Sequence, residues 1–267
     1  MRVGLVVRRM LRDRLKSLTW WTLAIGALAL VVVASYPSVR DAASAMEQFA
    51  ESMPEGMLEA MGAEAGITSP EGYLNSQFYS NLFPILLLVL GIGAAAWTVA
   101  GAEREGTLET LLANPVSRSR VALERFAGVA VLVAVPTLVA TLLLIATRTP
   151  FEYDAISAEN LAAAGVATYL LVMVFVALTF AVGAAIGSKG GAIAVGAGLA
   201  AATYVVFALS TFVELLENLR FLSPWHWFLD DSPLSEGWTW PAIGWPLLVI
   251  VPAVIVGTVL FTRRDLR

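Results

Sequence analysis

The sequence predicts an all-α integral membrane protein with six transmembrane helices, on the evidence of its composition and its apolar runs. Its 267 residues are 58% apolar and 14% charged, whereas soluble domains are about 45–50% apolar and about 25% charged. This composition excludes an ordinary soluble enzyme, a disordered chain and a coiled coil. A helix needs roughly 20 apolar residues to cross about 30 Å of hydrocarbon. Six runs approach that length: Leu18–Ser35, Tyr79–Ala100, Phe126–Ala146, Leu161–Ile186, Gly191–Val213 and Ile243–Phe261.

Residues 1–17 are predicted to form an amphipathic helix that lies in the membrane interface. Apolar residues recur there at spacings of three and four, and basic residues fill most positions between them. Simple topogenic charge before the first span is the alternative. The run Leu18–Ser35 is longer than the core of a signal peptide, and no small-x-small cleavage site clearly ends it. We therefore expect a retained first helix.

The basic residues predict the orientation of the chain. Only three of the 17 lysines and arginines, Arg40, Arg148 and Arg220, fall on one side of the six runs. The other 14 fall on the side of the two termini. The positive-inside rule then places both termini in the cytoplasm of a multi-pass protein of the inner membrane. An even number of spans agrees with this placement.

Two long outer loops, residues 36–78 and 214–242, are expected to contain helices. In the first, Met46, Met53 and neighbouring apolar residues share one helical face, and glutamates recur every four residues on the other. A substrate vestibule with a soft methionine surface and a helix resting on the membrane are the two interpretations. The second loop carries five tryptophans between Trp225 and Trp245, which indicates an interfacial aromatic belt.

The least membrane-like segment on the cytoplasmic side is the loop 101–125, between the second and third runs. Its residues Glu103–Ala113 are predicted to form a short amphipathic helix with an apolar stripe at Leu108, Leu111 and Leu112. Pro115 ends this helix because the residue before a proline resists the helical region. Docking of a cytoplasmic partner and packing on the end of the bundle both remain open from the pattern alone.

The segment EREGTLETLLANPVSR resembles the signature of type-2 ABC exporter permeases. In that family it forms the coupling helix, which seats in a groove of a separate ATPase subunit, and the N-terminal amphipathic segment resembles the family's connecting helix. The resemblance implies an ABC ATPase partner that binds ATP and Mg, and a second permease copy or homologue. It assigns the coupling role to Glu103, Glu105, Thr107, Leu108, Glu109, Leu111, Leu112 and Arg118. Arg118 and Arg120 are expected to contact the partner or anionic lipid.

No catalytic residue, metal site or cofactor is predicted in this chain. It lacks a GxxxxGK[ST] phosphate loop, so ATP hydrolysis is expected in the partner. His226 with Asp230 and Asp231 offers too few ligands to predict a metal site. The spans carry almost no ionisable residues, which argues against a proton-driven carrier. The net charge of −4 argues against nucleic acid as a partner. A membrane anchor or sensor that docks an ATPase without transport, and a stand-alone intramembrane enzyme, are the alternatives.

Polar side chains on the predicted pathway helices are few and uncharged. Such a lining suits a hydrophobic or amphipathic substrate, such as a drug, an antibiotic or a lipid, and the resemblance implies that it is exported. The residues expected to line the pathway are Asn75, Gln77, Asn81, Thr137, Thr141, Tyr169, Thr179 and Tyr204.

Overall fold

The computed structural model describes residues 4–50, 69–98, 117–210, 213–230 and 232–264, and within these ranges the chain is helical without strands. The helices are α1 Leu5–Asp13, α2 Leu15–Ala50, α3 Pro70–Leu74, α4 Leu82–Ala96, α5 Arg118–Ala146, α6 Ala158–Ile186, α7 Lys189–Leu209, α8 Glu214–Glu217, α9 Pro224–Leu229, α10 Pro233–Glu236 and α11 Trp240–Arg263. Six candidate membrane spans lie in the described part: α2, α3–α4, α5, α6, α7 and α11. The predicted fold class is confirmed.

The first span is longer than its apolar run. The run ends at Ser35, but α2 continues to Ala50 with Pro37 inside it. A proline removes one backbone hydrogen bond and does not by itself prevent the helix from resuming. The residues after Pro37 include alanines, Arg40 and Glu47, which favour helix. The first part of the loop predicted at 36–78 is therefore a continuation of α2, and residues 51–68 lie outside the described part.

The second span begins earlier than its apolar run and is interrupted. Ser69 caps α3, with its hydroxyl accepting a hydrogen bond from the Gly72 N–H at 3.1 Å. A π-helical turn over Asn75–Tyr79 follows. Asn81 then leaves helical geometry, with φ −127° and ψ −100°, before α4 begins. Turns of this kind re-aim the side chains around them and occur often at functional sites.

Helix α6 lies at the centre of the bundle and packs against α4, α5, α7 and α11. Small residues allow these close contacts. A Cβ atom at Gly257 of α11 would lie 2.9 Å from the Ala181 backbone, and one at Gly91 of α4 would lie 2.6 Å from Val176. Gly183 faces Ala192 at 3.4 Å. Helices in lipid associate through such close packing, because the lipid tails are as apolar as the side chains.

One end of the bundle carries the two chain ends that the structure describes, and we call it the termini end. It brings together α1, the end of the second span, the start of α5, the end of α6 and Arg264. Helix α1 packs on α5, with the buried Met10 seated against Gly128. The apolar face of the predicted interfacial helix is thus at least partly covered by protein.

The opposite end is closed by tyrosines and a buried tryptophan. The Tyr36 and Tyr73 ring centroids lie 5.3 Å apart, and the Tyr73 hydroxyl donates to the Val32 carbonyl at 3.0 Å. Burial raises the pKa of the Tyr153 phenol, which hydrogen-bonds Thr147 at 2.6 Å. Trp238, Trp240 and Trp245 are exposed, as the predicted tryptophan belt requires. It is wrong for Trp225, which is only 2% exposed because its indole N–H donates to the Ala200 carbonyl.

The contact between α6 and α11 is the first feature to test by mutation. We expect Gly257→Ala to lower the apparent Tm in detergent by roughly 2–10 °C, because the added methyl group meets Phe180 and the Ala181 backbone. Gly198→Ala is the matched control, since no heavy atom lies within 4 Å of the methyl position there. Equal melting temperatures for the two variants would contradict the packing described.

The docking of α1 supplies a second prediction. Glu124 accepts hydrogen bonds from the N–H groups of Gly4 and Val6 and pairs with Arg120 at 2.9 Å. We expect Glu124→Gln to speed amide exchange in α1 about fivefold to tenfold, because neutral hydrogen bonds are weaker than charge-assisted ones by about 1 kcal/mol. Glu159→Gln, an exposed glutamate in the first turn of α6, should leave α1 unchanged. Unaltered exchange in the Glu124 variant would refute this anchoring.

Candidate functional site

The candidate coupling site lies at the termini end, on both sides of residues 99–116. Seven of the eight predicted coupling residues lie outside the described residues: Glu103, Glu105, Thr107, Leu108, Glu109, Leu111 and Leu112. The structure does describe the two boundaries of this stretch, Thr98 on one side and Ser117 on the other. Arg118, the eighth residue, is the first residue of α5.

On one side, the described part of the second span reaches a π-helical turn at Trp97 and Thr98. The Thr98 hydroxyl donates to the Ala95 carbonyl at 2.6 Å, so the side chain secures the turn. The Thr98 carbonyl accepts a hydrogen bond from Nη1 of Arg125, a residue of α5. A guanidinium carries a full positive charge, so its hydrogen bond to a backbone carbonyl is charge-assisted and stronger than one between neutral groups.

Two arginines face the indole ring of Trp97. The guanidinium carbon of Arg14 lies 4.6 Å from the ring centroid, and that of Arg125 lies 5.9 Å from it. Both distances fall within the range of cation–π attraction. Arg14 connects α1 to α2, so the ring joins the start of the first span to the end of the second.

Glu124, next to Arg125 in the chain, holds α1 through its hydrogen bonds to Gly4 and Val6. A carboxylate at a helix N-terminus also complements the partial positive charge of the free N–H groups there. Two adjacent residues of α5 therefore contact two different segments. Glu124 holds α1, and Arg125 holds the second span at Thr98.

On the other side, Arg118 connects the start of α5 to the end of α11. Its Nη1 donates to the Arg264 carbonyl at 3.0 Å. The Arg264 guanidinium in turn donates to the Ala184 carbonyl of α6 at 3.0 Å and lies over Gly187. Gly187 ends α6 with φ +65°, a conformation that side chains disfavour. The close approach of Arg264 leaves no room for a Cβ atom there.

Sequence reasoning missed Arg125, Trp97, Glu124 and Arg264 as parts of one network. Arg125 and Arg264 were counted only as charges that set orientation, and Trp97 only as an interfacial ring. The available signal was a cation directly preceding the apolar run that starts at Phe126. Such a residue is placed in the apolar bundle and needs a partner there.

The predicted pathway threonines are buried, and their hydroxyl groups are already used. Thr137, Thr141 and Thr179 each donate to the carbonyl four residues earlier in their own helix, at 2.7–2.9 Å. Thr141 also packs against Gly165, and Thr179 against Gly196. The structure therefore places Thr141 and Thr179 at contacts between helices of one chain, with no free hydroxyl group.

The aromatic and amide members of the predicted pathway lie elsewhere. The Tyr169 hydroxyl is 3.5 Å from the Ala130 carbonyl, and the Tyr204 ring lies 5.0 Å from that of Trp225. Near the interrupted turn of the second span, Asn75 accepts from Ser80, Asn81 donates to the Ser76 carbonyl at 2.7 Å, and Gln77 is exposed.

The described residues around His226 give no support for a metal site. His226 Nδ1 lies 3.5 Å from an Asp230 carboxylate oxygen, and Asp231 lies outside the described residues. Within the described ranges no group of three histidine, aspartate or glutamate side chains is placed to bind a metal ion.

Comparison with known proteins completes the description of the site. A search of the curated proteins finds no match to this chain. A sequence profile described as ABC-2 family transporter protein matches residues 6–266, which includes both boundaries of the coupling segment and all six spans. The chain therefore belongs to the ABC-2 family of transporter proteins, as the membrane component of an ABC transporter.

Proposed function

We propose that this chain is the permease subunit of an ATP-driven exporter of the inner membrane, with both termini in the cytoplasm. The family match over residues 6–266 supports this proposal most directly. Membership in the family implies a partner ABC ATPase, and the lack of a phosphate loop in the chain fits ATP hydrolysis on another polypeptide. The family likeness also favours a second permease copy or homologue.

The network at the termini end supports a lever mechanism. In the proposed cycle, nucleotide binding moves the ATPase subunit, which pushes on Glu103–Ala113. The push reaches the second span at Thr98 and α5 at Ser117. Since Arg125 joins these two helices and Arg118 joins α5 to the end of α11, the helices move together at this end. A pathway between two permease copies then opens.

The charge distribution supports the proposed orientation. Arg8, Arg9 and Arg12 of α1 are exposed at the termini end, where they suit the anionic inner leaflet. Arg118 and Arg120 lie at the same end. Glu152, in the loop after α5, lies toward the opposite end, where it pairs with Arg40.

The proposed substrate is hydrophobic or amphipathic, such as a drug, an antibiotic or a lipid. Among the described residues, Arg125 is the one buried charged side chain, and it lies at the termini end. The described middle of the bundle offers apolar surface and threonines whose hydroxyl groups are bonded to their own helices. Such a surface gives a charged solute no compensation for its lost hydration.

Docking of the ATPase can be tested by purification from mild detergent. We expect an ATPase subunit to copurify with the wild type and to be lost with Leu108→Asp/Leu111→Asp, because two carboxylates cannot enter an apolar groove without a large desolvation cost. Leu219→Asp/Leu222→Asp is the matched control. It has the same spacing on exposed residues at the opposite end and should retain the ATPase. Equal retention by both double variants would refute the docking assignment.

Substrate class can be tested in proteoliposomes that contain the permease with its ATPase subunit. We expect ATP-dependent movement of a fluorescent amphipathic dye or a labelled phospholipid, and none of a labelled sugar acid of similar size. Selective transport of the sugar acid or of a small ion would contradict the proposed class. A complex that hydrolyses ATP but moves none of these probes would favour the anchor or sensor function.

A further inference from the structure

Arg125 is a buried cation without a carboxylate partner among the described residues. Its side chain is 5% exposed, and its described partners are the Thr98 carbonyl and the Trp97 ring. A charge inside a membrane bundle is costly and marks a functional site more often than a packing position. An apolar side chain of similar volume would fill the space without this cost.

The geometry around Arg125 joins parts of the chain that move separately unless they are fastened. The Thr98 carbonyl belongs to the end of the second span, and Arg125 belongs to α5. Trp97 also receives Arg14, which follows α1. Since Glu124 holds the first turn of α1, one turn of α5 is connected both to α1 and to the second span at Thr98.

The chemistry of this position suits arginine in particular. The planar guanidinium donates through Nη1 to a helix-terminal carbonyl while its carbon faces an indole ring. A lysine ammonium carries the same charge but has neither the plane nor the fixed arrangement of donors. A glutamine can donate one neutral hydrogen bond and offers no attraction to the ring.

We propose that Arg125 is a positioning residue that transmits the movement of the coupling segment from the second span to α5. This inference rests on the proposed function, because the movement originates in the ATPase subunit. Arg125 does not touch the ATPase in this scheme. Its loss leaves docking intact and separates nucleotide binding from the rearrangement of the two helices.

The experiment measures that rearrangement directly. The chain contains no cysteine, so cysteines introduced at Leu82 and Leu142 give one pair of spin labels. These positions are exposed, near the start of α4 and the end of α5, away from Arg125. The permease complex with its ATPase is reconstituted in nanodiscs, and label distances are recorded without nucleotide and with a non-hydrolysable ATP analogue.

We expect the analogue to shift the label distances in the wild type. In Arg125→Gln the shifted population should fall about tenfold, as the loss of a charge-assisted hydrogen bond implies, while the ATPase copurifies in unchanged ratio. Arg125→Lys should give an intermediate shift. Lys189→Gln is the control and should keep the wild-type shift, because Lys189 is an exposed cation on α7, a helix other than the two that Arg125 joins.

The possible results separate the two claims. A wild type that captures no ATPase overturns the proposed function, and this inference with it. A wild type that captures ATPase but shows no nucleotide-dependent shift, or an unchanged shift in Arg125→Gln, overturns the inference alone. If Arg125→Gln does not fold, Trp97→Leu replaces it, since this variant removes the ring and keeps the charge. An unchanged shift in Trp97→Leu then overturns the inference.

Discussion

The rest of this structure depends on how the ends of its helices are satisfied. Along an uninterrupted stretch of a span the backbone groups find their partners within the same helix, which lipid requires. The last turn has no such partner, and its carbonyl groups need donors from elsewhere. Here those donors are arginines. Arg125 serves the end of the second span, Arg118 serves the carbonyl of Arg264, and Arg264 serves the end of α6. The charged residues of the bundle thus collect where helices end, and they connect the helices to one another.

This arrangement explains how a largely apolar bundle can carry a signal. The middle of the bundle is held by close contacts at glycine, as at Gly257 and Gly165, which resist sliding because small residues leave little free space. A displacement applied at one end is then passed along whole helices. In the proposed function an ATPase subunit is the source of that displacement, and the arginine contacts select the helices that receive it together.

Much of the fold could be predicted from the sequence because lipid imposes a simple rule on composition and length. Each of the six apolar runs falls on a spanning helix, though the second and fifth runs, to Ala100 and Val213, each extend four residues past the ends of α4 and α7. The continuation of α2 past Pro37 could not be predicted, since a proline is compatible with both an end and an interior position. The burial of Trp225 was also missed, because its partner Ala200 lies 25 residues away in the chain.

The coupling segment is assigned from its motif alone and stays a prediction. The contacts on either side of it come from residues distant in sequence, which the motif does not include. From sequence, Arg125 differs from the other cations that set orientation only in directly preceding an apolar run, and its contacts appear only when Thr98 and Trp97 are placed beside it. The place of Thr137, Thr141 and Thr179 in the pathway stays a prediction. The sequence shows that these residues are polar, whereas the structure shows that their hydroxyl groups donate to their own helices.

The length of α2 has a consequence for how the protein meets its surroundings. Its 36 residues make about 54 Å of helix, well beyond the roughly 30 Å of the hydrocarbon layer. Because the first residues of α2 lie at the termini end, the additional length extends beyond the hydrocarbon layer at the opposite end. We call these last turns of α2 the α2 extension. Molecules that approach the bundle from that side contact the α2 extension before they reach the lipid. An antibody fragment raised against the α2 extension would bind the protein in its native membrane without perturbing the bilayer.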